Sequence, residues 1–164
     1  MAGETGRALA LAAEQVIVGR RAKYVTPEDA LNHVAGYSIL IDVSARTMQK
    51  EDQAKGMPWL RSKGFDSFCP IGPAIVTPDE VPDPQRLTIG LRVNGETRQA
   101  SSTSEMVFGG RELIAAMSRQ MTLEPGDIVA TGTPAGVGKI AAGDLLEATI
   151  GPIGTLRVRV RAER

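Results

Sequence analysis

The sequence predicts a mainly β or α+β fold with a few short helices. Residues 86–93 strictly alternate apolar and polar side chains, which is typical of a half-buried strand, and Asn94-Gly95 follows as a strong hairpin signal. Helical spacing of apolar residues is confined to short segments, of which 111–119 is the clearest. Because strands and helices do not alternate regularly along the chain, a doubly wound parallel sheet is not expected.

The first part of the chain is predicted to form two strands with a short helix between them. Residues 16–18 are a short apolar run closed by a glycine, which indicates a buried strand. Residues 26–33 open with Thr-Pro-Glu-Asp, a sequence typical of a helix start. Residues 36–43 are apolar on both faces apart from a serine and Asp42, which predicts a strand buried from two sides.

The remaining elements are a long loop and further strands. Residues 44–73 lose all periodicity and are predicted to form a loop with a helical turn at 45–50. After the predicted hairpin and helix, residues 128–130 are expected to form a strand. The segment 145–160 has two apolar runs separated by Gly-Pro, which predicts two more strands.

Composition favours one globular domain without a charged partner. The 164 residues carry 19 basic and 19 acidic side chains, so no net field draws the protein to nucleic acid or to an anionic membrane. The arginines of the last strand are expected to form a solvated sheet face. The single cysteine, Cys69, cannot form an intramolecular disulfide, which favours the cytoplasm. No apolar stretch approaches the ~20 residues that cross a bilayer.

Asp42 lies in the middle of an otherwise apolar strand, where an unpaired carboxylate would be costly. It must therefore meet a metal ion, a basic group or backbone donors. A structural salt bridge explains this position as well as a functional site does, because both perturb carboxylates. The sequence leaves these alternatives open.

Two further segments carry candidate chemistry. Residues 131–138, Thr-Gly-Thr-Pro-Ala-Gly-Val-Gly, offer hydroxyls and backbone amides suited to an oxygen anion, although a plain tight turn has the same pattern. Lys63 lies among aromatic residues and could hold a carboxylate substrate, or it could simply be solvated. His33 is expected to pack or to cap its helix, and Cys69 to be a buried structural thiol.

Several motifs, taken together, are shared with one family. They are Gly36-Tyr37, Asp42-Val-Ser-Ala-Arg46 with Gln49, Trp59, Lys63 with Phe65-Asp66, Pro70-Ile-Gly-Pro73, Asn94-Gly95-Glu96, Pro125-Gly126-Asp127 and Thr131-Gly-Thr-Pro-Ala-Gly-Val-Gly138. In these motifs the chain resembles the fumarylacetoacetate hydrolase superfamily, of the C-terminal catalytic-domain type. Within the family it resembles the isomerase, decarboxylase and acylpyruvase members. We expect residues 15–164 to form this domain and residues 1–14 to be an atypical N-terminal segment.

The resemblance implies a β-roll fold, a homodimer and an enzyme that uses Mg²⁺ or Mn²⁺. Its substrates would be small oxo-dicarboxylates or hydroxymuconate-type dienes from aromatic compound catabolism, and its reactions hydrolysis, isomerisation or decarboxylation. The cation would stabilise an enolate as a Lewis acid. By resemblance Asp42 is a metal ligand, Lys63 and Thr133 are catalytic, and Arg46 and Gln49 join these two in binding the substrate.

The chain departs from the family at its first two metal ligands, which normally form a Glu-any-Glu pair just before the first strand. Counting back from Gly19 places Leu11 and Ala13 at those positions. A slip of one residue recovers only Glu14, the substitute ligand expected beside Asp42, and turns over the alternate faces of the strand. The chain is also expected to begin too late for the upstream lid of many members.

Two functions follow. The first is a family enzyme acting on a small oxo-acid, supported by Arg46, Gln49, Lys63 and Thr133. The second is a catalytically weakened or inactive homologue, either a truncated chain or half of a tandem protein, that acts through dimerisation. The missing Glu pair favours the second.

Overall fold

The computed structural model describes residues 8–162, apart from the side chain of Leu11. The strands within these residues are β1 (Ala8–Val18), β2 (Val34–Ala45), β3 (Ile71–Val76), β4 (Thr88–Val93), β5 (Glu96–Ser102), β6 (Ile128–Ala130), β7 (Gly138–Lys139), β8 (Leu145–Ile150) and β9 (Gly154–Arg159). The α-helices are α1 (Arg46–Ala54), α2 (Leu60–Lys63) and α3 (Gly110–Gln120), and short 3₁₀ helices span Ala30–His33, Pro84–Arg86, Thr103–Glu105 and Gly151–Ile153.

The strands form two antiparallel sheets. The first has the order β3-β2-β1-β6, and β7 pairs with the same edge of β1 as β6 but at its other end. The second sheet has the order β5-β4-β8-β9. The mainly β, α+β fold class predicted from the sequence is confirmed.

The two longest strands, β1 and β2, pair along their whole length in the first sheet. Glu14 lies opposite Ile39 in this register, and Leu11 lies opposite Asp42. Side chains alternate between the faces of a strand, so Ile39 and Asp42 point to opposite sides. Ile39 belongs to the core that β1 and β2 share with β4 and β8.

The core lies between the sheets and is built mainly from aliphatic side chains. Its fully buried members include Val16, Ile41, Leu91, Leu146 and Ile150. Burying a side chain of this size stabilises the fold by about 1.5–3 kcal/mol. The strict alternation predicted for 86–93 matches this arrangement, because Ile89, Leu91 and Val93 of β4 are buried and Arg92 between them is exposed.

The structure extends or corrects several predicted elements. β1 begins at Ala8, so the expected boundary between residues 14 and 15 falls within a strand. The predicted loop 44–73 contains α1, α2 and the start of β3. The segment 26–33 forms only a 3₁₀ turn at its end. Cys69 is exposed, so the expectation of a buried thiol is wrong.

Among the described residues, no helix is long and apolar enough to span a membrane.

Gly36 is required by the close approach of β3 to β2. A Cβ atom built on Gly36 lies 2.6 Å from both the Val76 carbonyl oxygen and the Ile75 Cγ2. We therefore expect Gly36→Ala to lower the free energy of unfolding by about 1–3 kcal/mol through overpacking, measured by urea denaturation.

Gly90 of β4 is the matched control. Its built Cβ would come no closer than 3.7 Å to the Gln99 carbonyl oxygen, an ordinary contact. Gly90→Ala should change stability by less than about 1 kcal/mol, in the stabilising direction. Equal losses in the two variants would contradict the role assigned to the β2–β3 approach.

Candidate active site

Asp42, Lys63 and Ser44 form a polar cluster on the face of β2 that points away from the shared core. The Lys63 Nζ atom donates to Asp42 Oδ1 at 2.6 Å, to Asp42 Oδ2 at 2.5 Å and to the Ser44 hydroxyl at 2.9 Å. Both charged side chains are 32% exposed, so solvent reaches them. The structure brings together two of the predicted site residues and gives Asp42 a basic partner, one of the alternatives that the sequence left open.

An ion pair between a buried carboxylate and an exposed guanidinium ties down the helix that carries Lys63. Asp52 of α1 is almost fully buried and accepts hydrogen bonds from Arg61 of α2, at 2.6 Å from Nη2 and 3.3 Å from Nε. The hydrogen bond and charge of Asp52 raise the pKa of Arg61. Because α2 is only four residues long, its position depends on this contact and on its contacts with β2, while the Ser62 hydroxyl bond to the Trp59 carbonyl stabilises the turn itself.

Arg46 and Gln49 lie in the first turn of α1, directly after the strand that carries Asp42 and Ser44. The Arg46 Nη1 atom donates to Gln49 Oε1 at 2.5 Å. Gln49 is buried, whereas Arg46 is exposed. The bond orients a guanidinium whose planar fork suits carboxylates.

The segment after β6 runs along the other edge of β1, away from β2. The hydroxyls of Thr131 and Thr133 donate to the carbonyls of Glu14 at 3.1 Å and Ala12 at 2.7 Å. Thr133 also accepts from Gln99 Nε2 at 2.9 Å. The structure therefore separates Thr133 from the Asp42 cluster by strand β1 and engages its hydroxyl within the fold.

Glu14 and Asp42, the two predicted metal ligands, are not brought together. Glu14 pairs with Ile39 and shares its core-facing side, whereas Asp42 lies three residues further along β2 on the opposite face. The idea that Glu14 substitutes for the family's missing ligand does not fit this geometry. Burial raises the pKa of Glu14 to about 8.

The donor set beside Asp42 does not fit a divalent cation. Hard cations need several oxygen ligands, but Leu11 lies opposite Asp42 in the register and Ala13 follows two residues along β1. Neither residue type has a ligand atom in its side chain. Across residues 8–162, no group of three or more His, Cys, Asp or Glu side chains is arranged to hold a metal ion.

The model of the fumarylacetoacetate hydrolase C-terminal domain matches residues 14–161. The chain belongs to the fumarylacetoacetate hydrolase family. Asp42, Lys63 and the segment 131–138 belong to the sequence motifs that this chain shares with the family.

Relatives in this family share much of the sequence but are longer. An uncharacterized protein of Pyrococcus abyssi is 55% identical over 148 residues, which are 90% of this chain and 65% of the relative. A mitochondrial oxaloacetate tautomerase of Bos taurus is 53% identical over 123 residues, 75% of this chain and 38% of the relative. The chain thus spans less than two thirds of the length of these family members.

A solved structure in the fumarylacetoacetate hydrolase family shows the same fold. Fumarylpyruvate hydrolase from Pseudomonas aeruginosa, in complex with Mn²⁺ and pyruvate, superposes with a TM-score of 0.94 at 34% identity. The match covers 98% of this chain and 69% of the hydrolase. The neighbour is a metal complex, whereas the present chain has Leu11 and Ala13 beside Asp42.

Sequence reasoning missed three residues that organise this family site. Asp52 and Arg61 position α2, and Gln99 accepts from the Ala12 amide at 2.8 Å while donating to the threonine segment. These contacts join segments that are distant in the sequence or connected by a loop, so no local pattern indicates them. The polarity of Asp52 within a helical segment was the only feature that could have pointed to a buried polar contact. The Ser44 contact with Lys63 could have been anticipated from its place two residues after Asp42.

The buried carboxyl of Glu14 makes stability depend on pH. Its folded pKa, about 8, lies above the unfolded value of 4.5, so its contribution is fully present below pH 4.5 and is lost as the pH rises toward 8. The parent protein should therefore be less stable at pH 8 than at pH 5 because of Glu14. We expect Glu14→Gln to reduce this drop in the free energy of unfolding by roughly 3 kcal/mol. Urea denaturation at both pH values measures this, and an unchanged difference would contradict it.

Proposed function

We propose that this chain catalyses keto–enol tautomerisation or isomerisation of a small oxo-dicarboxylate without a divalent cation. The Asp42–Lys63 pair carries the proposal, because it places a carboxylate and an ammonium in contact at a solvent-reachable position. A carboxylate can act as the base that removes a proton from carbon, and an ammonium can act as the acid that delivers a proton to oxygen. Membership of an enzyme family supports the assignment of catalysis.

The proposed proton path uses only these two side chains. The substrate carbonyl oxygen would replace the Ser44 hydroxyl as the third partner of the Lys63 ammonium. Asp42 takes the proton from the carbon beside the carbonyl while Lys63 donates one to the carbonyl oxygen. The enol leaves, and proton transfer from Asp42 back to Lys63 restores both groups.

The charge around the cluster favours a carboxylate-bearing substrate. Arg46 is exposed and oriented by Gln49, so its fork is available to a substrate carboxylate. The name of the Bos taurus relative, an oxaloacetate tautomerase, supports an oxo-dicarboxylate of this size. Thr133, whose hydroxyl already serves Ala12 and Gln99, holds the sheet edge in this proposal and does not contact the substrate.

Proton transfer fits the cluster better than hydrolysis does. Hydrolysis needs an activated water in addition to a stabilised enolate, and metal ions commonly supply that activation. The ligand positions beside Asp42 hold Leu11 and Ala13. A tautomerase or isomerase needs only the acid and the base, so it is the reaction least affected by these two replacements.

The second candidate is a non-catalytic homologue that acts through homodimerisation. The aliphatic residues at positions 11 and 13 favour it, as does the exposure of Val107 (89%) and Phe108 (63%), which are large apolar side chains. We include a homodimer in both proposals. Light scattering after gel filtration distinguishes a dimer from a monomer.

The catalytic proposal is tested by following oxaloacetate enol–keto exchange in the ultraviolet with the purified, chelator-treated chain. We expect activity above the buffer rate, and a loss in kcat of at least about 10²-fold in Lys63→Met and Asp42→Asn because each removes one proton-transfer group. Lys50→Met, which removes an exposed ammonium on α1, is the control and should match the parent.

Two outcomes would overturn the catalytic proposal. The first is an exchange rate equal to that of buffer, which would leave the non-catalytic homologue. The second is activity that disappears with chelator and returns with Mn²⁺, which would restore metal-dependent catalysis. Circular dichroism of each variant shows whether it is folded.

The metal argument gives a separate prediction. Leu11→Glu combined with Ala13→Glu places two carboxylates on the strand beside Asp42, so we expect measurable Mn²⁺ binding by calorimetry only in this double variant. Adding Asp42→Asn to the double variant should weaken that binding at least about tenfold. Parent protein that binds Mn²⁺ as tightly as the double variant contradicts the prediction.

A further inference from the structure

A cavity lies on the opposite side of β2 from the Asp42 cluster. It has a volume of about 630 Å³ and is lined by Glu14, Tyr37, Pro82, Arg111 and their neighbours. Glu14 and Tyr37 come from the core-facing sides of β1 and β2, and Arg111 comes from the first turn of α3. The proposed catalytic residues Asp42 and Lys63 do not line it.

The floor of this cavity holds an unsatisfied carboxyl group. Glu14 is only 2% exposed, and within the described part of the chain its Oε1 atom has no hydrogen-bond partner. A buried carboxyl oxygen without a partner costs free energy that a donor from a ligand would recover. Tyr37 lines the cavity from the same face of β2, but its hydroxyl does not hydrogen-bond to this oxygen.

The charged groups around the cavity are mostly acidic. Asp83 and Glu112 line it together with Glu14, and Arg111 is the basic side chain among its lining residues. Tyr37 faces the same space: burial and the Glu14 charge raise its pKa to about 12, and Arg111 acts in the opposite direction. The lining thus carries more acidic than basic groups, which favours a positively charged ligand over an anion.

The remaining walls suit a hydrocarbon chain. Val16 and Leu31 line the cavity on one side, and Pro82, Pro84 and Met106 line it as well. Such walls favour aliphatic carbons through burial of apolar surface. The cavity thus combines an apolar body with one deep acceptor.

We propose that this cavity binds a small aliphatic primary amine, whose ammonium group donates a hydrogen bond to Glu14 Oε1. The amine enters as its cation, and Glu14, neutral in the empty cavity near pH 7, releases its proton to the solvent as the ion pair forms. One proton is released for each amine bound, and no covalent bond changes. This site is independent of the proposed tautomerase activity.

The test uses n-butylamine as the probe and n-butanol and butyrate as comparators of the same length. Saturation-transfer NMR and calorimetry at pH 7 on the full chain should show n-butylamine binding at least tenfold more tightly than n-butanol, and no binding of butyrate. Calorimetry in two buffers of different ionisation enthalpy should show net release of protons on binding.

Variants locate the site and separate it from catalysis. Glu14→Gln should weaken n-butylamine binding at least tenfold and abolish proton release, whereas Lys63→Met should change neither. Glu96→Gln, on the exposed strand β5, is the matched carboxyl control and should also have no effect. If Glu14→Gln fails to fold, the carbon NMR signal of the Glu14 carboxyl in the parent protein should move to its ionised position as the amine is added.

Three results would overturn the proposal. The first is no detectable binding of n-butylamine at a concentration on the order of 10 mM, which suffices to detect weak fragments. The others are equal binding of the amine and the alcohol, and amine binding that Glu14→Gln leaves unchanged. None of these results bears on the oxaloacetate assay. A loss of tautomerase activity in Lys63→Met with amine binding retained confirms that the two sites are separate.

Discussion

The long antiparallel pairing of β1 with β2 is the constraint on which the rest of the structure depends. Both strands are buried along most of their length, so the register decides which side chain enters the core and which reaches solvent. It places Ile39 and Ile41 in the core and turns Asp42 and Ser44 to the other side. One pairing thus supplies both the stability of the domain and the position of its polar cluster.

The same alternation explains why the chain has acidic chemistry in two separate places. Asp42 is neutralised by Lys63, which a second ion pair, between Asp52 and Arg61, holds in reach. Glu14, on the other face, has no such partner and responds to burial by holding its proton. The two faces of this strand pair thus give one carboxyl group a basic partner and leave the other buried without one.

How much was predictable from the sequence depended on how local each signal was. The hairpin at Asn94-Gly95 and helix α3 follow from patterns contained in a few residues, and the structure has both. The length of β1 and the face of Glu14 did not follow, because an alanine-rich run carries no alternation from which to read a register. Helix α2 was missed because four residues give no period and a contact with Asp52 positions it.

The hydrogen bonds of Gln99 and Thr133 join parts of the chain that are distant in sequence. Gln99 is 87 residues from Ala12, and Thr133 is 121 residues from it, yet all three meet along one edge of β1. The contacts of Gln99 need both sheets, because Gln99 belongs to β5 of the second sheet and its partners lie on or beside β1 of the first. A chain that lacked β6, β7 and the segment between them would leave this edge of β1 open to pairing with another molecule.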